Sequence, residues 1–210
     1  RLVAAPFAVP GDFSSAAYFL AGAALVADSN VELTSVGLNP TRTGLLQVLR
    51  EAGARIRLEG RELTGGEPVG TIRVRGGVDL EAMEIYGDLV PNAIDELPLL
   101  AVVATCAHGE TRLRDAAELR VKETDRLATV ASELTKLGAR IRELPDGLDI
   151  TGPTELVGTE VDSQGDHRLA MALAIAALKA RGTTVIHNAE CVEISYPGFF
   201  DDLRQLAPDA

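Results

Sequence analysis

The four-residue turn Gly-Ala-Arg-Ile occurs twice, at Gly53–Ile56 and at Gly138–Ile141, 85 residues apart. What surrounds it repeats as well. Asp12 precedes the apolar run Ala16–Val26, a strand-like Asn30–Val36 and a helix-like Leu45–Ala52. In a second copy Asp95 precedes Leu97–Ala107, a strand-like Thr111–Arg114 and a helix-like Leu127–Leu137 closed by Gly138. A third copy has Asp166 before Leu169–Leu178, a strand-like Thr183–Asn188 and, after the turn Tyr196-Pro197-Gly198, a closing helix Phe199–Leu206. Self-similarity of this kind marks supersecondary units that cannot bury their apolar faces alone and must pack on one another.

The first two copies also carry strands after the second helix. These are Arg55–Leu58 with Thr71–Val74, and Arg140–Leu144 with Gly147–Ile150, the latter pair joined through Pro145-Asp146-Gly147. Each unit therefore reads helix–strand–helix–strand–strand. Its first helix is apolar nearly all round, which places it in a core behind a shell of sheet and amphipathic helix. The expected class is α/β (α+β), one domain over residues 1–210 made of repeats at about 1–78, 79–158 and 159–210, with no Pro-, Gly- or Ser-rich linker between them. The polar, Gly-rich stretch Glu59–Gly70 is expected to be a mobile hairpin.

Charge narrows the partners. A formal net charge of −11 argues against general affinity for nucleic acid or an anionic membrane surface, so an anionic ligand needs local cations working against the overall field. Ala16–Ala27 is too short to span a bilayer, and the Asp12 and Ser14-Ser15 around its start read as a helix cap rather than the flank of a signal peptide. Cys106 and Cys191 show no CxxC or zinc spacing and read as buried free thiols in a reducing, cytoplasmic setting. Because it begins at Arg1 with no Met, the chain reads as a portion of something longer.

The densest charge lies in Arg120-Val121-Lys122-Glu123-Thr124-Asp125-Arg126, at the mouth of the apolar pattern Leu127–Leu137. If the helix has begun by Lys122, Lys122 and Arg126 project about 40° apart and share an anion, while Glu123 falls in line with the apolar stripe, where desolvation raises its pKa. If it begins near Asp125, those groups sit on the loop and the angles do not apply. Cations in a first helical turn oppose the macrodipole, which an anion would correct. The alternative is a solvated helix entry whose charges pair with one another.

Asp166-His167-Arg168 places an imidazole and a guanidinium in the first turn of the third apolar helix, again a place for an anion unless Arg168 is already paired. Asp95 matches Asp12 and Asp166 in position and reads as a helix cap that can also accept a proton. The first copy has Thr41 and Gly37 where alignment on the repeated turn places Arg126 and Lys122, which assigns any site to copies two and three. His108 and His187 read as isolated. No P-loop, dinucleotide-binding glycine pattern, HExxH or nucleophile elbow is present, so nucleotide, metal and serine-nucleophile chemistry lack support.

With Gly165-Asp166-His167-Arg168-Leu169-Ala170-Met171 and Gly11-Asp12-Phe13-Ser14-Ser15-Ala16-Ala17-Tyr18-Phe19-Leu20, the charged stretch resembles the 5-enolpyruvylshikimate-3-phosphate synthase family over nearly the whole chain. The resemblance implies one lobe of a two-lobed fold, each lobe built of three βαβαββ units. It also implies transfer of enolpyruvyl from phosphoenolpyruvate to the 5-hydroxyl of shikimate 3-phosphate on the way to aromatic amino acids, without metal or cofactor. By position, Asp95 resembles the acceptor of the hydroxyl proton, Lys122 the lysine between the substrates, and Glu123 the proton-transfer partner at the methylene carbon. Arg126 and Arg168 resemble the clamp on the phosphoenolpyruvate carboxylate and phosphate, with His167 beside them. Glu118 and Ile194 stand where many members have an Asn and a Lys. The missing other lobe is the implied partner, and the chain alone is expected to be inactive. Two alternatives remain, a related enolpyruvyl transferase acting on a UDP-sugar and a non-catalytic module of the same fold.

Overall fold

The structure is a computed structural model that describes residues 8–208; the first seven residues of the first repeat and the last two of the third lie outside it. Asp12 accepts a hydrogen bond from the Ser15 N–H at 2.7 Å and starts α1 (Phe13–Leu25), which leads to β1 (Asn30–Gly37), α2 (Gly44–Glu51), β2 (Arg55–Thr64) and β3 (Glu67–Arg75). The second set is β4 (Glu84–Ile85), α3 (Leu89–Ala93), a 3-10 turn Ile94–Glu96, α4 (Leu97–Cys106), β5 (Gly109–Leu113), a 3-10 turn Ala117–Val121, α5 (Arg126–Lys136), β6 (Arg140–Leu144) and β7 (Gly147–Gly152). The third is β8 (Glu160–Asp162), α6 (His167–Ala177), β9 (Val185–His187), a 3-10 turn Ala189–Ile194 and α7 (Phe199–Leu206).

The sheets run β1-β3-β2, β4-β5-β7-β6 and β8-β9. In the first two sets the strand after the core helix pairs antiparallel with the far strand of a hairpin, β1 with β3 and β5 with β7. Each set also opens on a short parallel pairing across its core helix: a bridge from Gly11 to Val36, then β4 with β5, then β8 with β9. The two Gly-Ala-Arg-Ile turns are superposable in their bonding. Gly53 and Gly138 adopt φ of 96° and 97°, a left-handed cap that glycine tolerates without a Cβ clash. The Ala54 N–H donates to Leu49 O at 2.8 Å and the Ala139 N–H to Leu134 O at 3.0 Å, closing α2 and α5 alike. Glu59–Gly70, expected as a mobile hairpin, is a hairpin formed by the ends of β2 and β3, joined at Gly65-Gly66, with a register shift between Glu59 and Glu62.

The core is made of α1, α4 and α6, whose residues are buried on nearly every side. Such helices need no amphipathic stripe, because neighbours cover every face. Gly22 marks the close approach of α1 to α6: a Cβ there would stand 3.3 Å from Ile175 Cδ1. The amphipathic α7 returns over α1 and seats Phe199, fully buried, against Tyr18, Phe19 and Tyr196 with ring centroids 5.6–5.8 Å apart. Burying that ring contributes about 1.5–3 kcal/mol. Leu89–Cys106 is long and apolar enough to cross a membrane by length and composition, but 67% of it is buried inside the fold and its 3-10 break carries Asp95 and Glu96.

Candidate active site

The first turns of α1 and α6 and the turn before α4 meet at one place. Ser14 Oγ, in the first turn of α1, donates to Glu96 Oε1 at 2.5 Å. Arg168, at the start of α6, reaches Asp95 Oδ2 at 3.1 Å and Glu96 Oε1 at 3.9 Å. The positive ends of helix dipoles therefore converge, and each brings a carboxylate of its own: Asp12, Asp95 with Glu96, and Asp166.

Those carboxylates are not equivalent. Asp12 and Asp166 cap their helices, Asp166 through the Arg168 N–H at 3.0 Å. Asp95, expected to do the same, does not. The chain runs into α4 through helical backbone from the 3-10 turn, the residue at the cap position is Glu96, and neither side chain caps. Asp95 is instead left facing three guanidiniums, with Arg168 Nη2 at 3.1 Å, Arg42 Nη2 at 3.5 Å and Arg126 Nη1 at 3.9 Å.

Arg126 is the most buried cation among the described residues, 1% exposed. Its Nε and Nη2 donate to Asp166 Oδ2 and Oδ1 at 2.7 and 3.2 Å, a bidentate pair in which the carboxylate is wholly buried. Nη2 also donates to Glu123 Oε2 at 2.5 Å. Burial pushes the Asp166 carboxyl up, but the hydrogen bonds and charge of Arg126 and the Arg168 N–H outweigh it and hold that pKa below the ordinary carboxylate value. Arg168 is partly buried against Tyr18. Burial works against its charge, and Tyr18, Asp95 and Glu96 around it more than offset that. His167 is held below its usual value by burial and by the charge of Arg168, so it stands as a neutral donor rather than the cation its place in the first turn suggested.

The angular reading of the charged stretch does not hold. Asp125 caps α5 through the Ala128 N–H at 3.1 Å, so the helix begins at Arg126 and Lys122–Thr124 are extended or irregular. Lys122 does not stand beside Arg126 around one anion; its Nζ donates to Glu118 Oε1 at 2.7 Å. Glu123 is not in the apolar stripe; its side chain is 49% exposed and reaches back to Arg126. Arg120 is spent on Asp125 and Glu143, both at 2.8 Å. The structure thus brings Asp95, Glu123, Arg126, His167 and Arg168 into one cluster, while Lys122 is paired with Glu118. Its positive charge is not uncompensated, because each of these arginines and Lys122 already has a carboxylate partner.

Three participants escaped the sequence reading. Arg42 and Ser14 bring the first copy into the site, contrary to its assignment to copies two and three, and Arg42 Nη2 donates to Ser14 Oγ at 2.9 Å. The signal was present: alignment on the repeated turn sets Arg42 one position from Arg126. Glu96, 2% exposed, is the third, and burial pushes its carboxyl above the ordinary range, against Ser14 and Arg168. Ile194 is exposed at the end of its 3-10 turn. His108 and His187 are paired on the surface with Asp79 and Glu160, and both cysteines are half-buried free thiols. A cavity of about 580 Å³ lies between α2 and the β2–β3 hairpin, away from the Asp95–Arg126–Arg168 cluster.

The family model for EPSP synthase (3-phosphoshikimate 1-carboxyvinyltransferase) matches residues 1–203. Proteins named 3-phosphoshikimate 1-carboxyvinyltransferase from a Synechococcus species and from Thermosynechococcus vestitus are 54% and 56% identical over 206 and 199 residues, which is 98% and 95% of this chain. The chain spans about half the length of the curated relatives it matches, 46% and 45% in these two cases. A solved EPSP synthase from Acinetobacter baumannii superposes with a TM-score of 0.91 at 40% identity, over 97% of this chain and 46% of that one. An enolpyruvyl transferase from Streptomyces tendae, at 22% identity and a TM-score of 0.73, shares the fold.

Proposed function

Because the chain belongs to the EPSP synthase family, we propose that it carries one side of a site that moves enolpyruvyl from phosphoenolpyruvate to the 5-hydroxyl of shikimate 3-phosphate. The observation that carries this reading is Asp95: a carboxylate released from capping, faced by Arg42, Arg126 and Arg168 at 3.1–3.9 Å where core helices meet. Its lone pairs serve to take the hydroxyl proton as oxygen attacks the central carbon of phosphoenolpyruvate. Arg126 is anchored by Asp166 through Nε and Nη2, which leaves Nη1 and the Glu123-bound edge for the incoming carboxylate or phosphate. Arg168 and the neutral His167 supply the other donors, and Lys122, released from Glu118, would serve as the lysine between the two substrates.

Substrate anions replace carboxylates that occupy these cations in the free chain. Displaced from Arg126, Glu123 takes up a proton from solvent, swings on its extended segment and gives that proton to the methylene carbon. It takes a proton back from the resulting methyl group as the carbon–oxygen bond to phosphate breaks. Two anions held over guanidiniums and helix ends need no reorganisation of charge during these steps.

Residues 1–210 are read as one domain of three repeats, at about 1–78, 79–158 and 159–210, supported by a single cluster of buried apolar residues drawn from α1 to α7. A cytoplasmic setting is part of the same proposal, supported by the two free thiols. An open half-site should not turn over alone. Steady-state phosphate release should be negligible for this chain and restored by adding the other lobe; full turnover by the chain alone would overturn the proposal.

A further inference from the structure

We propose that the outer face of the β1-β3-β2 sheet docks an extended acidic segment of another protein. On that face Arg55 stands directly across from Arg75 and Arg57 across from Arg73, while Asn30 and Glu32 face Arg75 and Arg73 from β1. All six side chains are exposed, while Ile72 and Val74 of β3 point into the core. Arg73 is held by Glu32 at 2.8 Å and Glu59 at 2.9 Å. Among the described residues no carboxylate stands within ion-pair range of Arg55, Arg57 or Arg75.

The second repeat shows what a balanced version looks like. There Asp149 occupies the central strand, facing Arg142 on one side and Arg112 on the other. It binds Arg142 and, at 2.5 Å, Arg114, while Arg112 reaches Glu110 and Glu84 at 3.0 and 3.5 Å. In the first repeat the matching central position is Arg73, so an acid flanked by arginines has become an arginine facing another. Like charges directly across a strand pair destabilise it. Here two such pairs persist on the surface of a chain whose net charge is −11.

The spacing selects the occupant. Opposed side chains stand about 5 Å apart and alternate ones along a strand about 7 Å apart. An extended peptide with Asp or Glu at every second residue repeats that 7 Å step on one face. A nucleic acid fits less well: the patch has no aromatic side chain for a base to stack on, and the overall negative charge repels a long polyanion.

The test titrates the 210-residue chain against a fluorescent eight-residue peptide of alternating Glu and Ser, read by anisotropy. A Lys-Ser peptide and an oligothymidine of equal charge serve as controls. Saturable binding of the Glu peptide alone is expected at 30 mM salt, weakening about tenfold or more at 300 mM. NMR shifts should be confined to β2 and β3. The variant R55S/R57S/R75S should lose at least about tenfold in affinity while melting at or above the parent temperature, since it removes only unpaired like charges. Should that variant fail to fold, Arg57→Ser alone must weaken binding. Absence of saturable binding at 30 mM, unchanged affinity in the variants, shifts elsewhere, or equal binding of the oligothymidine would each overturn the proposal.

Discussion

Replacing Asp166 by Asn keeps an acceptor for the Arg168 N–H and removes only the charge opposite Arg126. The guanidinium is 1% exposed and cannot move to water without unpacking the start of α5. Its remaining close partner is Glu123, half-exposed and bound through Nη2 alone. Breaking one side of a buried ion pair costs about 3–5 kcal/mol, because the surviving charge is left uncompensated. Asp166→Ala should cost roughly a further 1 kcal/mol through loss of the cap. For a chain of this length each kcal/mol lowers Tm by about 2–4 °C, so D166N should melt roughly 6–20 °C below the parent. Urea denaturation followed by circular dichroism measures the free energy, and an added Arg126→Met completes a double-mutant cycle. The double variant should be more stable than D166N, since no buried charge is left unpaired. The pH dependence gives an independent check. Asp166 has a folded pKa held below its unfolded value, so its contribution is present above about pH 4 and disappears as pH falls through the folded value. D166N should therefore approach the parent in acid. A variant within about 1 kcal/mol of the parent at pH 7 would refute the claim that this pair is both buried and unrelieved.

Glu96 titrates with the opposite sign. Its pKa is raised in the folded chain by burial, so its contribution is complete below about pH 4 and declines as pH rises through the folded value. Glu96→Gln should then gain stability relative to the parent between pH 4 and pH 7, measured by thermal melts across that range; a flat difference would contradict it. Glu118→Gln releases Lys122 from an exposed pair, so its effect on stability should stay below about 1 kcal/mol. Phosphate titrations at low salt should show tighter binding in E118Q than in the parent, and equal affinity would remove Glu118 as a competitor for the anion.

The architecture was legible because it rests on local signals that recur: the Gly-Ala-Arg-Ile turn, a capping Asp before a wholly apolar run, and alternation in the hairpins. The start of α5 was also written in the sequence, in Thr124-Asp125, whose side chains favour a cap over a helical interior. Of the two starts the sequence allowed, the one near Asp125 is correct, and the angular placements of Lys122 and Glu123, which needed the earlier start, fail with it. Charge balance was legible only within and beside the charged stretch, where groups pair as Lys122 with Glu118, Arg120 with Asp125 and Arg126 with Glu123. Arg126 is neutralised by Asp166, 40 positions away and in another repeat, and Asp95 by Arg42, which the register of the repeat displaces by one position. Proximity of letters showed where charges are dense, and the packing of α1, α4 and α6 decides which distant ones meet.

Asp166 holds two assignments with one carboxyl group, since it starts α6 and also fastens Arg126. Fraying of the first turn of that helix and loosening of the guanidinium are therefore a single event. The third repeat acts as the latch for a residue owned by the second. Any ligand that rigidifies Arg126 should slow amide exchange at Arg168 and Leu169, residues it need never touch.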